Sequence, residues 1–219
     1  MYFLDAILSV IFPVRCISCK REGLELCMDC IASFPIAERE TPEWIIPMFD
    51  YRHPSIKKSI WFLKYKGKKR LALIFAEILH ERIIEELADL KVLRNFHDPI
   101  LVPIPLSKER KKERKYNQTE LICEALIQID KKSGQKNFDL KKDILIKTRE
   151  TEHQARIKDR SDRLKNLMNS FAVKNEQKIK GRNVILIDDV TTTGTTLSEA
   201  KRILKNSGAK NIIAFTIAH

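Results

Sequence analysis

Apolar positions along this chain follow two rhythms, and the change falls near residue 98. Before it, helical spacing prevails. Residues 1–12, MYFLDAILSVIF, read as a short apolar helix. WIIPMFDY (44–51) reads as a strand or edge segment interrupted by Pro47, which has no N–H to give to a central ladder. His53-Pro54-Ser55 opens a helix carrying Ile56, Ile60, Trp61 and Leu63 and ending near Gly67; the spacing turns Trp61 toward the core. A longer helix, from Lys68 to about Leu90, sets Leu71, Ile74, Phe75, Ile78, Leu79 and Ile83 on one face, most simply a core face.

Beyond Asp98 short apolar runs take over. ILVPIP (100–105), DILIKT (143–148), FAV (171–173), NVILID (183–188) and NIIAFTIAH (211–219) read as strands. Between them lie a helix from about Gln118, with Leu121, Ile122, Ala125, Leu126 and Ile129 inward, and a helix TTLSEAKRILKNSG closed by Gly208. Strands alternating with helices predict an α/β fold with a mostly parallel sheet flanked by helices. Ligands of such sheets bind beyond the carboxyl ends of the strands. Three loops fall there: 105–117, the charged stretch 149–170, and the turn after Asp188-Asp189.

Composition adds bounds. The 219 residues are 43% apolar, enough for a packed core, and six Gly with eight Pro exclude low-complexity readings. No apolar run reaches the roughly 18 residues of a spanning helix, so no membrane insertion is expected. The N-terminal run lacks a basic flank, contains Asp5, and has no small-residue cleavage site before Pro13. It does not read as a signal peptide, and a cytoplasmic protein is expected. The net charge is +12 and uneven. Residues 57–70 hold seven bases and no acid; residues 106–117 hold six bases against Glu109 and Glu113. Such segments suit a polyanion or a phosphorylated ligand, the alternative being a solvated surface.

Four of the five cysteines form two pairs, Cys16-x2-Cys19 and Cys27-x2-Cys30, seven residues apart. Two thiolate-bearing turns can close a tetrahedron about one zinc ion, with Pro13 and Gly23 suiting the turns. Iron or redox use, and two disulfides, are the competing readings. A closed tetrahedron has no open position for catalysis. Cys123, alone on a helix, reads as a small buried hydrophobe.

The sharpest chemistry lies in VILIDDVTTTGTTL (184–197). The apolar run anchors a strand, so Asp188 and Asp189 emerge at a rigid point. Gly194 permits a tight turn with converging N–H groups. Those donors, the hydroxyls of Thr191, Thr192, Thr193, Thr195 and Thr196, and the start of the next helix make a phosphate cradle beside two acceptors for vicinal hydroxyls. A phosphate and a diol together describe a ribose 5-phosphate. This stretch resembles the phosphoribosyl-diphosphate (PRPP) signature of type I phosphoribosyltransferases. With the four-cysteine start, LKYKGKKRLA (63–72), VPIP…R-x3-YNQ (102–118) and the Thr148/Thr151, Gln154, Arg163, Asn169, Phe171 series, the chain resembles the ComF family of competence proteins over nearly its whole length.

That resemblance implies a zinc module over 1–35, a hood-like helical part over 36–98 and a phosphoribosyltransferase-like core over 99–219. It implies PRPP bound with Mg2+, Asp188 and Asp189 on the ribose hydroxyls, and Lys108, Arg110, Arg114 and Lys115 on the pyrophosphate. Tyr116, Asn117 and Gln118 close that basic segment, and 149–170 matches the loop that closes over substrate. His153 in that loop, His53 before Pro54, and His80 and His97 without evident partners carry no assigned chemistry. Thr192 cannot act as a general base of the purine-salvage kind. The family's part in handling transforming DNA implies single-stranded DNA as a second ligand. Lys64, Lys66, Lys68 and Lys69, set among Trp61, Phe62 and Tyr65, are the candidate contacts. The alternatives are an active transferase on an unidentified acceptor, or an adaptor docking a helicase-type partner.

Overall fold

The computed structural model describes residues 13–38, 41–148 and 170–219. The apolar segment 1–12 and Thr151, His153, Gln154, Arg163 and Asn169 lie outside the described residues.

The chain folds around one parallel sheet. Strands β1 (Ile45–Phe49), β2 (Ile100–Pro103), β3 (Asp139–Leu140), β6 (Val184–Val190) and β7 (Ile212–Ala218) lie in the order β1-β7-β6-β2-β3. All four ladders are parallel, so every strand points its carboxyl end to the same edge. β1 carries Pro47 at the sheet's outer edge, where a missing donor costs least. The two residues of β3 have no periodicity to read, and sequence pattern passes over them.

Alternation along the central strands feeds two cores. Leu101, Ile185, Ile187, Ile213 and Phe215 face one way; Ile100, Val102, Val184, Leu186, Ile212 and Ala214 face the other. Helices α3 (Arg70–Arg94) and α5 (Gln118–Lys132) cover the first face, with α2 (Pro54–Tyr65) packed on α3. Helix α6 (Thr195–Asn206) covers the second beside a two-stranded antiparallel ribbon of β4 (Leu145–Lys147) and β5 (Phe171–Val173). That ribbon corrects the sequence reading, which had counted both runs among the alternating strands. Each run satisfies its ladder on the other, Leu145 opposite Val173 and Lys147 opposite Phe171, and neither joins the main sheet.

Three further corrections concern helices. Helix α3 continues past Leu90 to Arg94, where Asn95 takes a left-handed conformation (φ 51°). The basic stretch expected as a loop holds helix α4 (Lys108–Arg114). KERKKER is built of good helix formers capped by Ser107, but it has no apolar face for a periodicity argument to find. Trp61 is 44% exposed, on the side of α2 away from the buried Ile56, Ile60 and Leu63.

The N-terminal knot is docked onto this body. Its short helix α1 (Met28–Ala32) leads to Phe34, which meets the Phe49 ring edge-on at 6.0 Å and the His53 ring at 4.6 Å. Cys16, Ile17, Leu26 and Ile31 are buried in the same apolar cluster as α2 and α3.

Candidate functional site

Chain direction reverses between β2 and β6. From β2 the chain proceeds outward to β3, and from β6 it proceeds the other way to β7. The crevice at such a switch point has no connection crossing it, and ligands of open parallel sheets settle there. In this protein it is a cleft of about 150 Å3. The end of β2 supplies Ile104 to Ser107, and β6 with the start of α6 supplies Asp188, Asp189 and Thr196. Helices α4 and α5 add Arg110, Arg114 and Gln118, α2 adds Lys64, and the ribbon adds Lys147 and Phe171.

The two carboxylates are not equivalent. Asp189 is 4% exposed and already doubly engaged. Its Oδ1 lies 2.7 Å from the Lys64 ammonium, and its Oδ2 accepts from Gln118 Nε2. Gln118 Oε1 in turn accepts from Arg114 at 3.0 Å, and Arg114 donates to the Tyr65 hydroxyl at 2.9 Å while stacking on that ring at 4.7 Å. Asp189 is therefore the inner end of a chain of polar contacts that fastens α2 and α4 to the sheet.

Asp188 is the carboxylate left for the cleft. Its Oδ1 accepts from the Asp189 N–H at 2.8 Å. Burial and the neighbouring Asp189 charge push its carboxyl up to about 7, against the N–H bond and the nearby Lys64 and Lys147, which act to lower it. An acid titrating near neutrality in a cleft can change its protonation when hydroxyl or cationic groups arrive.

The turn after β6 is set by Gly194, in the left-handed region (φ 69°), where a Cβ would stand 3.2 Å from Ile45 Cδ1. Thr191 and Thr195 are buried, Thr196 borders the cleft, and Thr192 and Thr193 are exposed. The Thr193 and Thr195 hydroxyls are 2.5 Å apart.

The Tyr116-Asn117-Gln118 run has a distinct task at each position. The Tyr116 hydroxyl donates to Leu63 O, tying α4's end to α2. Asn117 caps α5 through Thr119 N at 3.1 Å and donates to Ile104 O, also at 3.1 Å, holding the end of β2. Gln118 reaches Asp189.

Of the basic residues singled out from sequence, Arg110 and Arg114 border the cleft, whereas Lys108 and Lys115 do not. Lys64 turns inward to Asp189. Lys66 stays outside, 5.2 Å over the exposed Trp61 ring, and half-buried Lys68 lies 5.5 Å over the half-buried Phe62 ring. Lys69 stands 5.0 Å over Tyr116. Gln118, singled out with the YNQ run, enters the site, whereas Lys147 and Ser107 do so without a sequence signal of their own, since only tertiary contact brings them there. His80, read as unpartnered, sits 3.3 Å from buried Asp130, which also accepts from Asn137 at 2.8 Å. That cluster joins α3 to α5 far along the sequence, which no local pattern reveals. Cys123 is fully buried, and burial raises its thiol well above the ordinary range.

At the knot, the sulfurs of Cys16, Cys19, Cys27 and Cys30 all lie within 4.8 Å of one another, with Cys19 and Cys27 3.7 Å apart. A tetrahedral zinc with bonds of about 2.3 Å requires sulfurs about 3.8 Å apart, so the donor set fits. The thiols are all free rather than paired. Burial acts to raise Cys16, but the backbone N–H groups of Cys27, Cys19 and Ser18 outweigh it and bring the thiol down to about 6.

A family model described as phosphoribosyl transferase domain matches residues 69–219. Among curated proteins, the chain is 29% identical over 178 residues to the DNA utilization protein YhgH of Escherichia coli K12, covering 78% of this chain and 70% of that one. It is 38% identical over 121 residues to the competence protein ComFC of Bacillus subtilis, covering 54% and 43% respectively. Among solved structures, Trypanosoma cruzi hypoxanthine phosphoribosyl transferase overlaps 68% of this chain and 64% of its own at a TM-score of 0.41 and 13% identity.

Proposed function

Because the chain belongs to the phosphoribosyl transferase domain family, we propose that the cleft between β2 and β6 binds PRPP. The carrying observation is the convergence, at the sheet's switch point, of the Asp188 carboxyl, Thr196 at the start of α6, and the cations of α4, α2 and the ribbon. In this reading Asp188 takes the ribose hydroxyls and the Thr191–Thr196 turn takes the 5-phosphate. The diphosphate lies toward Arg110, Ser107 and Lys147, with Mg2+ neutralising its oxygens. The four cysteines hold a structural zinc ion. Calorimetric titration with PRPP, with and without Mg2+, tests the reading. One saturable site, tighter with Mg2+, is expected; no heat under either condition would remove it. Pyrophosphate release, followed with and without DNA, then reports whether bound PRPP turns over.

Single-stranded DNA is the second ligand of this reading. It is supported by the exposed Trp61 and Tyr65 of α2, 6.1 Å apart, with Lys66 5.2 Å over Trp61 and Lys58 and Lys68 each 5.5 Å over the adjoining Phe62. Rings of this kind stack bases while ammonium groups meet phosphates. The names carried by the relatives, competence and DNA utilization, point the same way. Each phosphate contact contributes about −0.7 to the log–log salt slope on a single strand. Replacing Lys58, Lys66 and Lys68 with Ala should therefore weaken binding and flatten the slope by about 2. Lys64 is left out because Asp189 holds it, and Lys69 because it stands over Tyr116. Salt-independent binding, or a triple variant with the parent slope, would move DNA off this face.

A further inference from the structure

A second cavity, about 450 Å3, shares Lys64 and Arg114 with the cleft and none of its other lining residues. It is walled by Lys64 and Tyr65 of α2, by Lys69 after the turn at Gly67, and by Arg114, Lys115 and Tyr116 at the end of α4. We propose that this cavity is a nucleoside-monophosphate site, taking the phosphate between Lys69, Lys115 and Arg114 and the base against Tyr65 and Tyr116.

Charge is the first argument. Lys64 is neutralised by Asp189. Among the described residues neither Lys69 nor Lys115 ion-pairs with a carboxylate. Lys69, Arg114 and Lys115 against Glu113 leave two positive charges on the wall. A terminal phosphomonoester carries about −1.5 to −2 at pH 7, whereas an internal phosphodiester carries one charge. The cavity matches the former.

Hydrogen bonding is the second. Arg114 is 8% exposed, yet its Nε has no partner. A buried donor left unpaired is costly, and because Arg114 borders this cavity, a phosphate that draws its guanidinium round gains that bond. Shape is the third. Gly67 leaves open space where a side chain would stand, and Tyr65 is 42% exposed. The room is ample for one nucleotide.

Two sources could present this chemistry, a free mononucleotide or the 5′-phosphorylated end of a strand; only the second rests on the single-strand reading. The full chain would be titrated with dTMP and with thymidine, then with a twelve-residue oligothymidylate bearing either a 5′-phosphate or a 5′-hydroxyl. At least tenfold tighter binding of dTMP than thymidine is expected. Lys69→Ala with Lys115→Ala should erase that ratio, and the loss identifies this cavity because neither lysine borders the cleft. A tenfold preference for the phosphorylated strand assigns the strand end; dTMP selectivity without it assigns the free nucleotide. Equal binding of dTMP and thymidine, or a ratio that survives the double variant, overturns the proposal. A protein that binds no strand at all would remove the DNA reading and leave the dTMP comparison to decide this one.

Discussion

Replacing Cys16 and Cys30 together with serine is expected to remove one zinc ion per chain and to unfold the knot around residues 14–34. Beyond the burial of Ile17, Leu26, Ile31 and Phe34 in the main apolar cluster, little holds that segment. α1 is five residues, far below the length at which a helix stands alone. The Arg15–Glu22 bridge is isolated, and its ion pair is exposed. Structural zinc in small peptides contributes on the order of 10 kcal/mol or more, which dwarfs these contacts. Phe34 docks on Phe49 and His53, so its release should also loosen the edge strand β1. Metal analysis of freshly purified protein and hydrogen exchange over residues 13–50 check both expectations. Much less than one zinc per chain, or unchanged protection in the double variant, would count against the site.

The paired aspartates should separate into a binding residue and a structural one. Asp189→Ala leaves Lys64 as a half-buried unpaired charge and strips Gln118 of its acceptor. Breaking a buried pair from one side costs about 3–5 kcal/mol, so this variant should melt well below the parent. Asp188→Asn should do the opposite to stability. The folded carboxyl holds its proton up to about pH 7, whereas the unfolded one sheds it near 4. Between those values the folded state binds more protons, and stability falls as pH rises through the window. The amide removes that loss, so Asp188→Asn should be more stable than the parent at pH 8 and no more stable at pH 4.

Its ligand behaviour should invert the gain. Ribose hydroxyls donate to the ionised carboxylate and favour it. PRPP affinity of the parent should therefore rise from pH 6 to 8, while Asp188→Asn should bind about ten- to a hundredfold more weakly with no such rise. Thermal melts across pH and calorimetric titrations of both variants decide the matter. An Asp188→Asn protein that binds PRPP like the parent would sink the ribose assignment.

Much of this was legible along the chain because it depends on neighbours in sequence. Val184–Ile187 had to be a buried strand, so Asp188-Asp189 and the Gly194 turn had to fall at a strand end. The two cysteine pairs specified their own cluster, since each knuckle is local and only seven residues part them. The parallel α/β class followed from alternating elements. What the chain left undecided depends on side chains brought together from far apart. Two adjacent aspartates look identical until Lys64 and Gln118, from other helices, engage one and leave the other to burial and repulsion. Within each basic segment the cations look alike until α2 and α4 meet, turning Lys64 and Arg114 inward and leaving Lys66 over the exposed Trp61. Charge along a chain is local; which water it loses on folding is decided only by the partners that tertiary packing supplies.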